Sequence, residues 1–258
     1  MSDVGYQKLR ELFKNLPNSK INNSKKETIL AFGPCAIEEE SIVTEIAENA
    51  AKAGATYLRG GAIKLRTRFG SFEGLGPSGW KVLHNVASKY NLKTVSEVTD
   101  HDDLTLAVKY LDILKIGARS MWNFRLLQEC ASTGLPVMLK RGLGATTYDW
   151  YSTAERLFAY GCKEVIMCER GLASIDSVSR NSIDLSTLAF LLEESPLPLW
   201  VDVSHTAGEP TVALNLIDIC KLLRADGVIA EIHTNPAIAK CDAAQAIPTA
   251  NLLSRACI

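Results

Sequence analysis

The chain has 258 residues, 47% of them hydrophobic, enough to bury a large core as one or two domains. Its formal net charge of -1 leaves no basic excess to neutralise a nucleic-acid backbone, and no 18-residue apolar run is present to span a membrane. Seven cysteines, odd in number and without a CxxC pair, read as reduced thiols of a cytoplasmic protein.

Residues 1–27 read as an N-terminal extension: an amphipathic helical stretch without the apolar core of a signal peptide, then the polar run PNSKINNSKK. From residue 28 to 258 the pattern alternates. Apolar or β-branched runs at about 28–37, 56–63, 93–98, 113–118, 136–142, 163–170, 197–205 and 227–233 predict strands. Helical patterns such as SIVTEIAENAAKAG, GWKVLHNVASKY and TVALNLIDICKLLRA separate them, and AAQAIPTANLLSRACI ends the chain. Eight strands, each followed by a helix, predict an α/β architecture, a (β/α)8 TIM barrel. Near-continuous apolar strands such as LPLWV suit a parallel sheet covered on both faces. A doubly wound open sheet is the alternative, but Gly33-Pro34-Cys35 is not the Gly-rich phosphate turn it should carry.

Barrels place their sites at the C-terminal ends of the strands. Cations gather there: Arg59 at the end of strand two, Lys64 and Arg66 in the long loop that follows, Arg119 after strand four, Lys140 and Arg141 after strand five, Arg170 after strand six. Arg offers a planar fork for phosphate or carboxylate oxygens and Lys a compact charge. Ion pairs between strands are the plain alternative for any one of them, but recurrence at successive strand ends points to a wall for two phosphates. On the first and last strands stand Cys35, His205 and Glu231, with Asp242 in the loop beyond. A carboxylate inside the apolar run GVIAEIH needs a cation or strong donors. Thiolate, imidazole and two carboxylates together suit Mn²⁺, Fe²⁺, Co²⁺ or Zn²⁺. Taken singly, Cys35 also reads as a small core residue and Asp242 as a helix cap.

These residues lie in segments that resemble the short type I class of 3-deoxy-7-phosphoheptulonate (DAHP) synthases, which is related to the 3-deoxy-octulosonate 8-phosphate (KDO8P) synthases. The resemblance runs from about Thr28 to the C-terminus, through GPCAIEEE (33–40), RGGAIKLRT (59–67), DILKIGARSMWNF (112–124), PVMLKRG (136–142), CERG (168–171), VDVSHTAG (201–208) and EIHTNPAIAKCDAAQ (231–245). It implies condensation of phosphoenolpyruvate with erythrose 4-phosphate and water, the first step of the shikimate pathway. It implies that Cys35, His205, Glu231 and Asp242 ligate a divalent metal, and that Arg119, Lys140 and Arg170 hold phosphoenolpyruvate beside Lys64. Arg66 and Thr67 match the sugar-phosphate site, and Asp202 the carboxylate that contacts the aldose; Arg59 and Glu97 complete the expected substrate contacts. Catalysis is expected of Lys64, Lys140 and Asp202, while Lys140, Glu97 and a metal-linked water are all candidates to activate the attacking water. A homo-oligomer, a tetramer by preference, is also implied, and the short extension leads us to expect insensitivity to aromatic amino acids.

The family's usual Lys-Pro-Arg-Thr is here Lys64-Leu65-Arg66-Thr67, and Leu lacks the fixed φ of Pro. The aldose is therefore the open part of the assignment, with arabinose 5-phosphate in a KDO8P synthase-like reaction as the alternative. A Schiff-base aldolase using Lys140, and a barrel kept only as a binding scaffold, are the more distant readings.

Overall fold

A computed structural model describes residues 3–20, 27–65, 69–175, 178 and 180–256. Eight strands, Ile29–Gly33, Tyr57–Arg59, Lys93–Val98, Ile113–Ile116, Val137–Lys140, Val165–Glu169, Leu199–Asp202 and Gly227–His233, pair in chain order and all in parallel. The eighth returns to the first, with Ile29 opposite Gly227 and Gly33 opposite Glu231, so the sheet closes into a (β/α)8 barrel.

Each strand sends alternate side chains inward and outward. Inward go Ala31, Val95, Ile113, Met138, Ile166, Trp200 and Ile229, which fill the barrel with one apolar layer. Outward go residues such as Phe32, Leu58, Leu114, Leu139, Val201 and Val228, packed with the surrounding helices into the larger core. With both faces covered, the strands need apolar residues at nearly every position, which is why they read as continuous apolar runs.

The helices are α1 (Asp3–Phe13), α2 (Glu40–Lys52), α3 (Ser78–Lys89), α4 (Leu104–Ala107), α5 (Phe124–Ser132), α6 (Thr147–Ala159), α7 (Leu185–Glu194), α8 (Val203–Ala207), α9 (Pro210–Leu222) and α10 (Thr249–Ala256). Two features differ from the sequence expectation. The helix after strand three is only the four residues of α4. Strand seven stops at Asp202 instead of running to 205: its carboxylate accepts from the His205 backbone N–H at 3.0 Å and starts α8, so His205 lies on a helix.

The described residues of the N-terminal extension include a helix packed against the barrel. Leu9, Leu12, Phe13 and Leu16 are buried in the larger core, and Phe13 meets Tyr151 of α6 at 4.9 Å and Phe190 of α7 at 6.3 Å between ring centroids. Arg10 pairs with Glu194 at 2.9 Å. No helix among the described residues is long and apolar enough to cross a membrane.

Candidate active site

Two residues beyond the apolar layer, the inward positions of most strands change from apolar to charged, Gly33 and Cys168 being the exceptions. Val95 is followed by Glu97, Ile113 by Lys115, Met138 by Lys140, Trp200 by Asp202 and Ile229 by Glu231. Tyr57, which packs on the layer from its edge, is followed by Arg59. A buried charge needs a partner, and each finds one within the ring. Lys115 Nζ lies 3.1 Å from Glu97 Oε2, Lys140 Nζ 2.6 Å from Asp202 Oδ2, and Arg59 Nη1 3.1 Å from Glu231 Oε1. Gly117 makes room for the first pair, because a Cβ there would stand 2.2 Å from Glu97 Oε1.

A cavity of ≈ 490 Å³ opens above this ring, at the C-terminal ends of the strands. Lys64, Arg119, Lys140 and Arg170 line one part of it, and His205 and Asp242 the other. Cys35, Arg59, Asp202 and Glu231 are buried and are not part of the lining. Arg66 and Thr67 lie outside the described residues. Arg141, next along from Lys140, points the other way: it donates to Glu169 at 2.8 Å and to the Ala145 carbonyl at 3.1 Å, so it braces loops and does not reach the cavity. Arg170 keeps a buried Nε without a hydrogen-bond partner, a donor left over for an anion.

The four expected metal ligands fall into two groups that share Asp242. One ligand atom each from His205, Glu231 and Asp242 lie within 4.8 Å of one another, as do those of Cys35, Cys241 and Asp242. Asp242, in the left-handed conformation at φ 49°, caps no helix; its Oδ2 accepts from the Cys35 thiol at 3.2 Å. The two thiols of Cys35 and Cys241 are 2.8 Å apart. Sulfur, nitrogen and oxygen donors at this spacing fit a borderline divalent cation, and the crowding of two carboxylates is what such an ion would relieve.

The electrostatics follow the geometry. The hydrogen bond with Cys241, burial and the nearby Glu231 push the Cys35 thiol well above its ordinary range. Burial lowers the His205 pKa in spite of Asp202, leaving the ring neutral near pH 7, the form that offers a lone pair. Burial opposes the charge of Asp202, yet His205 and Lys140 hold its pKa well below the ordinary value. For Glu97, Lys115, Lys64 and Lys140 outweigh burial and bring the pKa to about 2.

The sequence pattern does not single out Lys115, Cys241 or Gln245, nor the cavity-lining Arg180 and Asn181. Lys115 was recoverable by stepping two residues on from Ile113 along an inward face. For Gln245, a neutral side chain in a turn, no such signal exists.

The model of the DAHP synthetase I family matches residues 13–258. The phospho-2-dehydro-3-deoxyheptonate aldolase of Thermotoga maritima is 38% identical over 220 residues, which are 85% of this chain and 65% of that protein. The chain thus spans about two thirds of the length of that relative. A crystal structure of the T. maritima DAHP synthase superposes with a TM-score of 0.85 at 34% identity, covering 93% of this chain and 72% of that one. A 2-dehydro-3-deoxyphosphooctonate aldolase from Fusobacterium nucleatum is 26% identical over 236 residues, 84% of each chain.

Proposed function

The chain belongs to the DAHP synthetase I family, and we propose that it condenses phosphoenolpyruvate with erythrose 4-phosphate and water, giving 3-deoxy-D-arabino-heptulosonate 7-phosphate and phosphate, as the entry step of the shikimate pathway. The observation that carries this reading is a cavity whose cationic wall faces His205 and Asp242, with the buried Cys35 and Glu231 each grouped with that Asp242.

Cys35, His205, Glu231 and Asp242 are the residues that would hold a divalent ion, of the Mn²⁺, Fe²⁺, Co²⁺ or Zn²⁺ type. Lewis-acid polarisation of a carbonyl oxygen is the chemistry such an ion supplies when bound. The rest falls to the chain. Arg119, Lys140 and Arg170 take the phosphate and carboxylate of phosphoenolpyruvate, with Lys64 beside them. By neutralising one polyanion they let a second approach, and they fix C3 of phosphoenolpyruvate toward the aldehyde carbon. The new bond forms between those carbons, water adds at C2, and the bond from C2 to the phosphate oxygen is lost as phosphate departs. Glu97, ionised down to about pH 2, serves as a hydrogen-bond acceptor that orients water or a hydroxyl, not as a proton donor. Asp202 fixes both Lys140 and His205 from below. Arg66 and Thr67 are assigned to the sugar phosphate by the family motif, Arg59 acts by holding Glu231, and the chain works as a cytoplasmic homo-oligomer, with a tetramer preferred.

Phosphate release from phosphoenolpyruvate with Mn²⁺, measured in parallel with erythrose 4-phosphate and arabinose 5-phosphate, tests the reading. Turnover with the four-carbon sugar, abolished by EDTA, is expected. Preference for the pentose would transfer the assignment to the octulosonate reaction, and silence with both sugars would overturn it.

A further inference from the structure

Gln245 has no role in the reaction outlined above, yet it joins the two halves of the site. It sits in the short turn Ala243–Gln245 just past Asp242 and is 2% exposed. Its amide is used in both directions. Nε2–H donates to Glu231 Oε2, and Oε1 accepts from Arg180 Nη1. The other carboxylate oxygen of Glu231 accepts from Arg59 at 3.1 Å and faces His205 Nδ1 at 3.9 Å. Gln245 and Arg59 thus hold one oxygen of Glu231 each.

Arg180 stands on the cavity wall with Arg119, Lys140 and Arg170. The two-residue ribbon pairing Leu172–Ala173 with Asn181–Ser182 brings it there, and Asn181 Nδ2 anchors the ribbon by donating to the His205 carbonyl at 2.7 Å. Gly208, which ends α8 at φ 71°, leaves the space: a Cβ there would stand 2.6 Å from the Cβ of Arg180. Burial, and the charge of Arg180 nearby, disfavour the charge of Arg170.

We propose that Gln245 is a positioning residue that couples the walls. An anion drawn to Arg180 steadies, through Gln245, the carboxylate of Glu231 toward a divalent cation, so that cation and phosphorylated substrate each tighten the other's binding. Thermodynamic linkage makes the two enhancements equal. The inference rests on the ligand set proposed above.

The test is the dissociation constant of Mn²⁺, read from the EPR signal of free Mn²⁺ over the full chain, with and without phosphoenolpyruvate. Wild type, Gln245→Met and Arg180→Gln are compared, with circular dichroism confirming the fold of each. In wild type, phosphoenolpyruvate is expected to tighten Mn²⁺ by about 5-fold or more. Gln245→Met should weaken Mn²⁺ by roughly 10- to 100-fold, the usual effect of losing a group that orients a metal ligand, and should abolish the response to phosphoenolpyruvate. Arg180→Gln alters an exposed side chain, so it keeps the test alive should the buried substitution not fold, and it too should lose the response. Wild-type Mn²⁺ affinity in Gln245→Met, or an intact response in Arg180→Gln, overturns the coupling. Wild type that binds Mn²⁺ but ignores phosphoenolpyruvate overturns the coupling alone, whereas wild type that binds no Mn²⁺ overturns the ligand set and the coupling together.

Discussion

Glu97 receives Lys115 at 3.1 Å and feels Lys64 and Lys140 as well, and together they outweigh its burial and set its pKa at about 2 against an ordinary 4.5. A carboxylate with a depressed folded-state pKa contributes stability that is complete above the unfolded value and is lost as pH falls through the folded one. The window is therefore about pH 4.5 down to 2. Glu97→Gln removes the titration and leaves Lys115 without its counter-charge, so the variant should melt well below wild type at pH 6. The difference in Tm should shrink steadily as the pH is lowered toward 3. A difference that stays constant over that range would mean that Glu97 titrates alike in the folded and unfolded chain. The same residue shows what sequence could reveal. A carboxylate inside an apolar run stands out because burying it alone is costly, which made Glu231 visible. Cys35 and His205 gained weight only as members of a mixed ligand set, and Glu97 only through the family resemblance. Lys115 was hidden because a lysine near a strand end reads equally well as a surface charge. Arg180 and Gln245 were hidden because nothing in SVSRNS or CDAAQ carries a period.

At the scale of elements, the strands were legible in number and order, since a sheet buried on both faces forces apolar runs that sequence cannot disguise. Their ends were less so. The run Val201-Asp202-Val203-Ser204-His205 has the alternating β-branched residues of a strand, but the Asp202 carboxylate caps the helix that begins next and turns His205 onto it. Local hydrogen bonding decided against propensity. For α1 the sequence foretold an amphipathic helix but not where it docks. Its apolar stripe packs on α6 and α7, with Phe13 between Tyr151 and Phe190. Phe13→Ala should cost about 3 kcal/mol, the low end for emptying a phenylalanine site, because the pocket lies at the edge of the core and can partly collapse. Urea unfolding measures it directly. The catalytic constants at 25 °C should hold, since Phe13 touches none of the cavity lining. A loss below about 0.5 kcal/mol, the scale of a surface substitution, would mean that α1 adds little to the stability of the barrel.

For the molecule as a whole, the formal charge is only -1, yet the cavity presents Lys64, Arg119, Lys140, Arg170 and Arg180 around Glu97 and Asp242. The field that reaches solvent is thus local: a positive mouth set in a nearly neutral body. Such a cleft concentrates anions over a short range. Within the ring beneath it, Lys140 with Asp202 and Arg59 with Glu231 are buried pairs that mobile ions reach poorly. These two populations of charge should respond to salt differently. Raising KCl from 0.1 to 1 M shortens the screening length from about 10 Å to about 3 Å. The KM for phosphoenolpyruvate should then climb several-fold while kcat changes little, because screening weakens capture at the mouth and leaves the buried ring as it was. Steady-state kinetics across that series would decide the point. A falling kcat at constant KM would place the salt-sensitive charges in the ring itself, and would mean that water and ions enter beneath the cavity floor in solution.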